Sequence, residues 1–406
     1  MSLWDLLSPL ELVVDEARTE RQSVDVSTQF TRVTTTVVLA GAGDEGRGED
    51  VTYNQEDHEW FPELAPLGAT TLGELSAHLD GLKLFAGEPR MDASLQYRRW
   101  AFESAALDLA LRQRGLLLGA ALGREYRPVR FVVSTRADAF AWLRHEPELE
   151  LKLDPENDWD RPFMERLAAT DRVRVLDLKS YYRGTAVDLV PDPDLYRAVV
   201  ELFPDVVIED ASQEGECGEV LRGEEHRLSF DAPIHSVDDV RALPVEPGWL
   251  NIKPSRFGTV ERLLACIEYC AANGIRMYGG GQFELGVGRH QIQALASLFY
   301  AENPNDVAPS EYNTGGPRPG LPRSPLPAPS AGRLLETGPR DCPQDTSRGL
   351  SLGQVRGTVP KTCLRCRGCA ASASTRTNGA SGGAAALRSK ACPAFLASTS
   401  RTGSTT

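Results

Sequence analysis

The feature that most constrains the fold of this chain is a series of eight short apolar runs within residues 128–313. Most of these runs are followed by a segment of helical length, which favours parallel β/α units over an antiparallel sheet. Eight such units predict a β/α barrel, although about 200 residues or more are usual for that fold. The runs are VRFVVS, LELKLD, VRVLDLKS, VVIEDAS, RLSFDAP, LNIKP, IRMYGGGQFELG and NDVAPS.

Residues 1–125 have a different pattern, which predicts an α+β unit. The stretches LELVVDEA and TRVTTTVVLAG show the alternation and the β-branched content of strands, and we interpret the polar segments after them as loops. Two helical patterns follow, LGELSAHLDGL and SLQYRRWAFESAALDLALRQRG. The small residues of the second pattern predict close packing against a neighbouring element.

The last segment, residues 314–406, is basic and rich in Pro, Gly, Ser and Thr. From residue 321 onward it has 12 Lys and Arg against 3 Asp and Glu, whereas the whole chain carries a net charge of −13. Such a segment buries too little apolar surface to offset its ordering entropy, so we predict a disordered tail. Its CLRCRGC stretch has the spacing of a metal site, but no His lies nearby and we interpret it as incidental.

Composition also excludes several classes of partner. The strongly acidic body repels phosphate backbones, which argues against nucleic acid. No apolar run approaches the roughly 18 residues of a membrane span, and the N-terminus lacks the basic start of a signal peptide. With three irregularly spaced cysteines in the body, we predict a reducing, cytoplasmic location. A homo-oligomer is compatible with this sequence.

Charged residues close the apolar runs at regular intervals. The steps between them are 25, 32, 22, 22 and 31 residues, each about one β/α unit long. Because the carboxyl ends of all strands in a parallel barrel meet at one mouth, we expect these side chains to converge. The residues are Lys152, Asp177, Glu209, Asp231, Lys253 and Glu284.

Three of these residues, Asp177, Glu209 and Asp231, are carboxylates that would repel one another without a cation. Oxygen ligands suit a hard divalent ion, so the series predicts one Mg²⁺ and argues against zinc. The alternative is that each acid only caps the helix that follows its strand. Because the three acids are separated by about one β/α unit each, we favour the metal site.

Lys152 and Lys253 flank the acids, on the second and the sixth apolar run. A lysine whose pKa is lowered by desolvation or by a nearby cation can act as a base. With a metal ion holding a substrate carboxylate, the pair could remove an α-proton and form an enediolate. Glu284 could contact the substrate or cap a glycine-rich turn, and Gln282 is a second candidate for substrate contact.

The ordered Lys, Asp, Glu, Asp, Lys series, together with NIKPSRFG and GGGQFELGVGRHQIQALASLF, resembles the enolase superfamily. The resemblance covers residues 10–313 and is strongest to the muconate-lactonizing enzyme and o-succinylbenzoate synthase-like branch. It implies a modified TIM (β/α)7β barrel at residues 126–313 and an α+β capping domain at residues 1–125, before the disordered tail. The capping loops would be residues 19–30 and 49–60.

The same resemblance implies roles for individual residues. Asp177, Glu209 and Asp231 match the three Mg²⁺ ligands, Lys152 and Lys253 match the catalytic lysines, and Glu284 matches an acid near the substrate carboxylate.

Two positions depart from the family pattern. Where the family has Lys-x-Lys on the second strand, this chain has Lys152, Leu153 and Asp154, so either Lys152 is a base in a shifted register or the second lysine is replaced. Where the family has Asp-x-Asn after the first ligand, this chain has Asp177, Leu178 and Lys179. Lys179 could pair with a ligand, bind a substrate anion or replace the missing lysine as base.

The resemblance therefore implies Mg²⁺-dependent abstraction of a proton α to the carboxylate of a small substrate. Reprotonation would give epimerisation, loss of a β-group would give dehydration, and ring opening or closure would give cycloisomerisation. The alternative is a non-catalytic relative that keeps the metal-binding barrel, which the altered second-strand pattern favours.

Overall fold

The computed structural model describes residues 1–27, 30–136, 138–183, 188–313 and 315–329. The elements of its N-terminal part are α1 (Leu3–Leu7), β1 (Glu11–Val14), β2 (Glu16–Ser27), β3 (Phe30–Gly41), β4 (Asp44–Asp50), β5 (Gly68–Thr71), α2 (Leu72–Asp80), α3 (Ala93–Gln113) and α4 (Leu118–Ala121). Among these, β2, β3 and β4 form an antiparallel sheet, which we call the capping sheet, and β1 pairs with β5.

The capping sheet contains two strands that the sequence analysis interpreted as loops. The polar segment after LELVVDEA forms most of β2, including most of the predicted capping loop 19–30, and the segment after TRVTTTVVLAG forms β4. Both pair with the apolar β3, which supplies backbone partners along its whole length. The loop prediction was wrong because pairing with an apolar strand outweighs the polar composition of the edge strands.

Helix α3 packs on β4 at very short range. A Cβ on Gly46 would lie 2.2 Å from the backbone oxygen of Ala105, and one on Gly48 would lie 2.0 Å from that of Ala101. Only glycine fits at these two positions. The close packing predicted from the small residues of this helix is therefore present.

The second part of the chain consists of seven parallel strands with intervening helices. Its elements are β6 (Val133–Thr135), α5 (Ala139–His145), β7 (Leu151–Leu153), α6 (Arg161–Ala168), β8 (Val173–Asp177), α7 (Pro193–Leu202), β9 (Val207–Glu209), α8 (Gly215–Val220), β10 (Leu228–Phe230), α9 (Val237–Arg241), β11 (Trp249–Ile252), α10 (Pro254–Phe257), α11 (Val260–Ala272), β12 (Arg276–Gly279) and α12 (Val287–Phe299). The strands lie side by side in chain order from β6 to β12.

The eighth apolar run, NDVAPS, occupies the gap between β12 and β6 without forming a regular strand among the described residues. The Asn305 side chain accepts the Gly279 N–H at 2.7 Å, and the Asn305 carbonyl accepts the Val132 N–H at 2.8 Å. Hydrogen bonds to the side chain and the carbonyl of Asn305 thus take the place of strand pairing between β12 and β6. The architecture is the predicted α/β barrel with an N-terminal capping unit.

The C-terminal segment is described only as far as residue 329. Leu326 pairs with Val129 in an antiparallel bridge, and the Ser324 hydroxyl accepts the Phe131 N–H at 2.9 Å. Residues 315–329 thus have defined contacts, which the prediction of disorder from residue 314 did not include. Residues 330–406, with the CLRCRGC stretch, lie outside the described residues, and the boundaries at 125 and 313 stay predictions.

Within the described ranges, no helix is both long and apolar enough to cross a membrane.

Candidate metal and proton-transfer site

Three buried carboxylates lie at the carboxyl ends of adjacent strands. Asp177 and Glu209 end β8 and β9 and face each other in register, and Asp231 follows β10 directly. All three are fully buried. Since neighbouring strands lie about 4.8 Å apart, the barrel brings together residues that are 54 positions apart in the chain. The structure therefore places the three proposed ligands in one cluster.

Lys152 lies inside the barrel on β7 and contacts this cluster. Its Nζ donates to both oxygens of Glu209, at 2.7 and 2.6 Å, and lies 3.2 Å from Asp177 and 3.5 Å from Asp306. Burial opposes its charge, but Glu209 and Asp177 outweigh burial and raise the pKa of Lys152 well above its ordinary value. In this state the side chain is a buried cation between two acids.

Asp231 is held by cations from two other elements. Lys253 Nζ donates to its Oδ2 at 2.7 Å, and Arg256 Nε lies 3.0 Å from its Oδ1. The Tyr182 hydroxyl also donates to Oδ2, at 3.1 Å. Burial raises the pKa of this carboxyl, but Arg256 and Lys253 outweigh burial and hold it far below its ordinary range.

The other two carboxylates are shifted in opposite directions. Burial raises the pKa of Glu209 to about 7, and the nearby Asp177 carboxylate acts in the same direction. Burial also opposes the charge of Asp177, but Lys179 and Lys152 outweigh it and lower the pKa of that carboxyl to about 2. Of the three carboxylates, Glu209 is therefore the one whose charge its surroundings oppose, and a bound cation would relieve that opposition.

The donor set fits a hard divalent cation. All the candidate ligands are carboxylate oxygens, which Mg²⁺ prefers over nitrogen or sulfur. Asp231 Oδ1 is buried and has no well-directed hydrogen bond, although it lies 3.0 Å from Arg256 Nε. Asp177 and Glu209 belong both to the predicted ligand set and to the group of carboxylates whose oxygens lie within 4.8 Å of one another, whereas Asp231 belongs only to the predicted set.

Asp210 is an acid that the sequence analysis did not single out, although it directly follows Glu209. Asp177, Glu209 and Asp210 each offer an oxygen within 4.8 Å of the others. The Asp210 carboxylate, however, accepts the backbone N–H of Asp231 at 2.8 Å and of Ala232 at 3.1 Å. Its oxygens therefore fix the position of the chain at Asp231.

Two further residues surround Glu209. Asn251 donates to Glu209 Oε1 at 3.1 Å, and the Tyr278 hydroxyl donates to Oε2. Asn251 lies two positions before Lys253 on β11, and this period-two spacing was the signal in the sequence that could have identified it. Each carboxylate oxygen of Glu209 thus accepts a hydrogen bond from a side chain inside the barrel.

Where the family pattern has the second lysine of Lys-x-Lys, this chain has an acid at the barrel mouth. Asp154 lies two positions beyond Lys152, where the second lysine would be. Its carboxylate accepts from Arg136 Nε at 2.8 Å and lies 3.6 Å from Lys179 Nζ. Lys179, on the neighbouring strand end, also forms an ion pair with Asp177. Residues 154 and 179 therefore form an acid and amine pair across the ends of β7 and β8.

The two predicted substrate contacts lie in the loop after β12. The Gln282 amide nitrogen donates to the Tyr53 hydroxyl at 3.1 Å, and its oxygen accepts from Arg256 Nε at 3.1 Å. Glu284 accepts the Gln282 N–H at 2.6 Å and pairs with Arg289 at 3.1 Å. Gln282 is therefore linked through Arg256 to the acid cluster, whereas the described contacts of Glu284 lie within its own turn and α12.

Comparison with known proteins gives both a family and individual relatives. The N-terminal and C-terminal domains of a family described as Domain of unknown function (DUF8230) match residues 5–121 and 125–314. An o-succinylbenzoate synthase of Bacillus subtilis is 27% identical over 223 residues, which are 51% of this chain and 58% of that protein. An N-succinylamino acid racemase of Amycolatopsis is 29% identical over 230 residues, 52% of this chain and 60% of that protein. The match thus spans less than two thirds of either relative.

Two solved structures share the fold. A member of the enolase superfamily from Listeria innocua superposes with a TM-score of 0.54 at 19% identity, over 74% of this chain and 86% of that one. A dipeptide epimerase from Methylococcus capsulatus, complexed with Mg ion, superposes with a TM-score of 0.51 at 18% identity, over 75% and 92%. At these identities the likeness shows the arrangement of the barrel and its capping unit.

Proposed function

We propose, on the premise that this chain belongs to the enolase superfamily, that it removes the proton α to a carboxylate of a small substrate with the help of Mg²⁺. The observation that carries the proposal is the buried cluster of Asp177, Glu209 and Asp231, with amines on either side. The relatives described above, a synthase, a racemase and an epimerase, support lyase or isomerase chemistry.

Asp177, Glu209 and Asp231 would hold the metal ion, and the Mg complex of the dipeptide epimerase supports that choice of ion. When bound, the ion supplies positive charge that stabilises the enediolate formed as the α-proton leaves. The remaining roles belong to side chains of this protein.

We assign proton transfer at the substrate α-carbon to two amines, each of which is ion-paired with a candidate ligand, Lys253 with Asp231 and Lys179 with Asp177. Lys253 follows β11 and Lys179 follows β8, so they flank the ends of β9 and β10. Lys253 would exchange the proton on one face and Lys179 on the other, with Gln282 and Glu284 in contact with the substrate. Lys152, which was also predicted to be catalytic, is ion-paired with carboxylates as the other two amines are. We assign it the role of balancing their charge, and its catalytic role stays a prediction.

The reaction that follows proton removal is epimerisation, elimination or cycloisomerisation. Two amines on opposite faces suit epimerisation, because one can remove the proton and the other can return it. A second candidate is a non-catalytic relative, which Asp154 favours because it stands where the second lysine would be. A cytoplasmic location and a homo-oligomeric state stay predictions.

Solvent deuterium exchange tests the proposal. The full chain with Mg²⁺ is incubated in D₂O with a panel of α-substituted carboxylic acids that includes both enantiomers of an N-succinylamino acid. We expect deuterium at the α-carbon, and a loss of at least 100-fold in Lys253→Ala for one enantiomer. Lys83→Ala, at an exposed lysine, is the matched control. Absence of exchange from every acid would favour the non-catalytic relative.

A further inference from the structure

The loop between β12 and α12, residues 280–286, is held by two buried charged residues of the capping sheet. Arg32 lies on β3 and Glu49 on β4, and both are almost fully buried. They make no ion pair with each other in the described structure. Each instead binds backbone groups of the loop that carries Gln282 and Glu284.

Arg32 binds the first half of the loop. Its guanidinium donates to the Gln282 carbonyl at 2.9 Å and to the Phe283 carbonyl at 3.1 Å. The remaining donors bind the Val51 and Thr52 carbonyls at 2.6 and 2.7 Å. One planar group thus joins the end of the capping sheet to the loop through four hydrogen bonds, a geometry that lysine cannot reproduce.

Glu49 binds the second half of the loop. Its carboxylate accepts the N–H groups of Leu285 at 2.8 Å, Gly286 at 3.0 Å and Gly288 at 2.8 Å. Leu285 and Gly286 directly precede α12 and Gly288 is its second residue, and the helix has no capping side chain of its own because Gly286 occupies the N-cap position. Glu49 therefore caps a 13-residue helix of the barrel from the capping sheet. Burial and the nearby Glu284 raise the pKa of Glu49, and its hydrogen bonds to the Gly288 and Leu285 N–H groups act in the opposite direction.

The loop also contains a strained residue. Phe283 has a φ of 61°, in the left-handed region that costs a residue with a side chain about 1–2 kcal/mol. Such a conformation persists when surrounding contacts determine it. The carbonyl of Phe283 is one of the acceptors of Arg32, so the strain lies where the capping sheet binds the loop.

Other contacts dock the capping unit independently of this loop. The Leu3 N–H donates to Glu268 on α11 at 2.9 Å, and Gln291 donates to the Arg47 carbonyl at 2.9 Å. Apolar side chains of α3 and α11, including Trp100 and Val260, belong to one continuous core. Buried charges are a costly way to hold an interface that apolar packing already forms, so Arg32 and Glu49 indicate a positional requirement.

We propose that Arg32 and Glu49 are positioning residues that fix the loop carrying Gln282 and Glu284 in the place where it contacts substrate. This inference rests on the proposed function. It makes the position of that loop depend on the docked capping sheet. The effect on the reaction is expected in substrate binding, because the acid cluster lies on other strands.

Two measurements on the Mg²⁺-loaded full chain test this inference. The first is amide hydrogen exchange of the segment 280–290 in Arg32→Lys and Glu49→Gln, which we expect to rise at least 10-fold at Leu285, Gly286 and Gly288 in the Glu49 variant. The second is α-proton exchange on an N-succinylamino acid. We expect KM to rise at least 10-fold while kcat stays within about 3-fold and Mg²⁺ affinity within about 2-fold.

Two further variants complete the design. Glu268→Ala removes a docking contact without touching the loop and should leave KM unchanged. Gly288→Ala keeps both buried charges but places a Cβ 2.8 Å from Glu284 Cγ and 2.9 Å from Glu49 Oε2. Because it also displaces Glu284, its readout is amide exchange alone, which should rise at Leu285 and Gly286 even if Arg32→Lys or Glu49→Gln fails to fold.

The possible outcomes separate this inference from the proposed function. Unchanged loop exchange, or faster loop exchange with unchanged KM, overturns the inference alone, since the wild type still turns over. Absence of α-proton exchange in the wild type on every acid contradicts the proposed function, and the inference fails with it.

Discussion

Lys152 shows how burial decides the role of a charged residue. An ammonium has three hydrogens, and that of Lys152 faces the carboxylates of Glu209, Asp177 and Asp306. These acids raise its pKa, so the side chain stays protonated at neutral pH. Its charge balances that of the neighbouring acids in this structure, and the catalytic role that the strand pattern predicted stays a prediction.

Lys152→Met tests this role. Removing one partner of a buried pair costs about 3–5 kcal/mol, because an uncompensated charge is left behind. We expect the unfolding temperature in EDTA to fall by roughly 10 °C, and Mg²⁺ to restore part of the loss by supplying a cation to the same acids. Differential scanning calorimetry measures both. The exposed Lys83→Met is the control, and an equal loss with and without Mg²⁺ would contradict the assigned role.

At the scale of the elements, three strands end in residues with unusual backbone conformations. Lys179, Asp210 and Phe283 have φ angles of 53°, 49° and 61°, at or just beyond the ends of β8, β9 and β12. Strain of this kind concentrates at functional sites, which agrees with the proposed location of this one.

Asp210→Asn changes the connection between β9 and β10. Asparagine tolerates the left-handed conformation, but its amide offers one acceptor to the two N–H groups of Asp231 and Ala232. We expect a loss of about 1–3 kcal/mol in the free energy of unfolding and weaker Mg²⁺ binding through displacement of Asp231.

Chemical denaturation and Mg²⁺ titration measure the two effects of Asp210→Asn. Asp171→Asn is the matched control, since Asp171 has a φ of 51° but an exposed side chain. If Asp171→Asn loses as much stability as Asp210→Asn, the loss comes from the left-handed backbone conformation and not from the hydrogen bonds of Asp210.

A buried histidine, His58, lies in a short 3-10 helix beside the capping sheet and makes the stability of the protein depend on pH. His58 Nδ1 lies 2.9 Å from the Thr35 hydroxyl and Nε2 lies 2.9 Å from the Thr52 carbonyl, which suits a neutral ring. Burial lowers the pKa of His58 below its ordinary value of 6.5. Below that pH the unfolded chain gains a proton that the folded chain does not, so stability falls as the pH falls from about 6.5 toward the folded-state pKa.

His58→Gln removes this titration while keeping one donor and one acceptor. We expect the unfolding temperature of the variant to fall less than that of the wild type between pH 7 and pH 5. Thermal unfolding at constant ionic strength provides the measurement, and the exposed His78→Gln should follow the wild type. Parallel profiles for His58→Gln and the wild type would contradict this assignment.

At the scale of the whole molecule, the candidate ligands join three consecutive β/α units, and the capping sheet binds the loop beyond β12. An ion that binds the folded chain alone stabilises it by RT ln(1 + [Mg²⁺]/Kd), about 2.7 kcal/mol at 100 times Kd. We therefore expect the unfolding temperature to rise by several degrees with Mg²⁺ and to keep rising with its logarithm. Asp177→Asn and Glu209→Gln should lose this rise, whereas the exposed Asp205→Asn should keep it.

The regular spacing of charged strand ends allowed both the barrel and the candidate cluster to be predicted. Parallel strands all end at one mouth, so Asp177, Glu209 and Asp231 could be grouped without knowledge of contacts. Strand β2 could not be predicted, because its polar residues pair with β3 and the partner of an edge strand is invisible in a local pattern. Asp210 was missed because acids next to each other on a strand point to opposite faces unless the backbone turns.

The sequence by itself determined the order of the units and the chemical types that meet at the barrel mouth, because both follow from local periodicity. The tertiary structure alone decided which amine contacts which acid, including the pairing of Lys179 with Asp154 across the ends of β7 and β8. It also decided that Arg32 and Glu49 bind the loop beyond β12. These contacts join residues that are up to 251 positions apart in the chain, so they depend on the folded structure and not on any local pattern in the sequence.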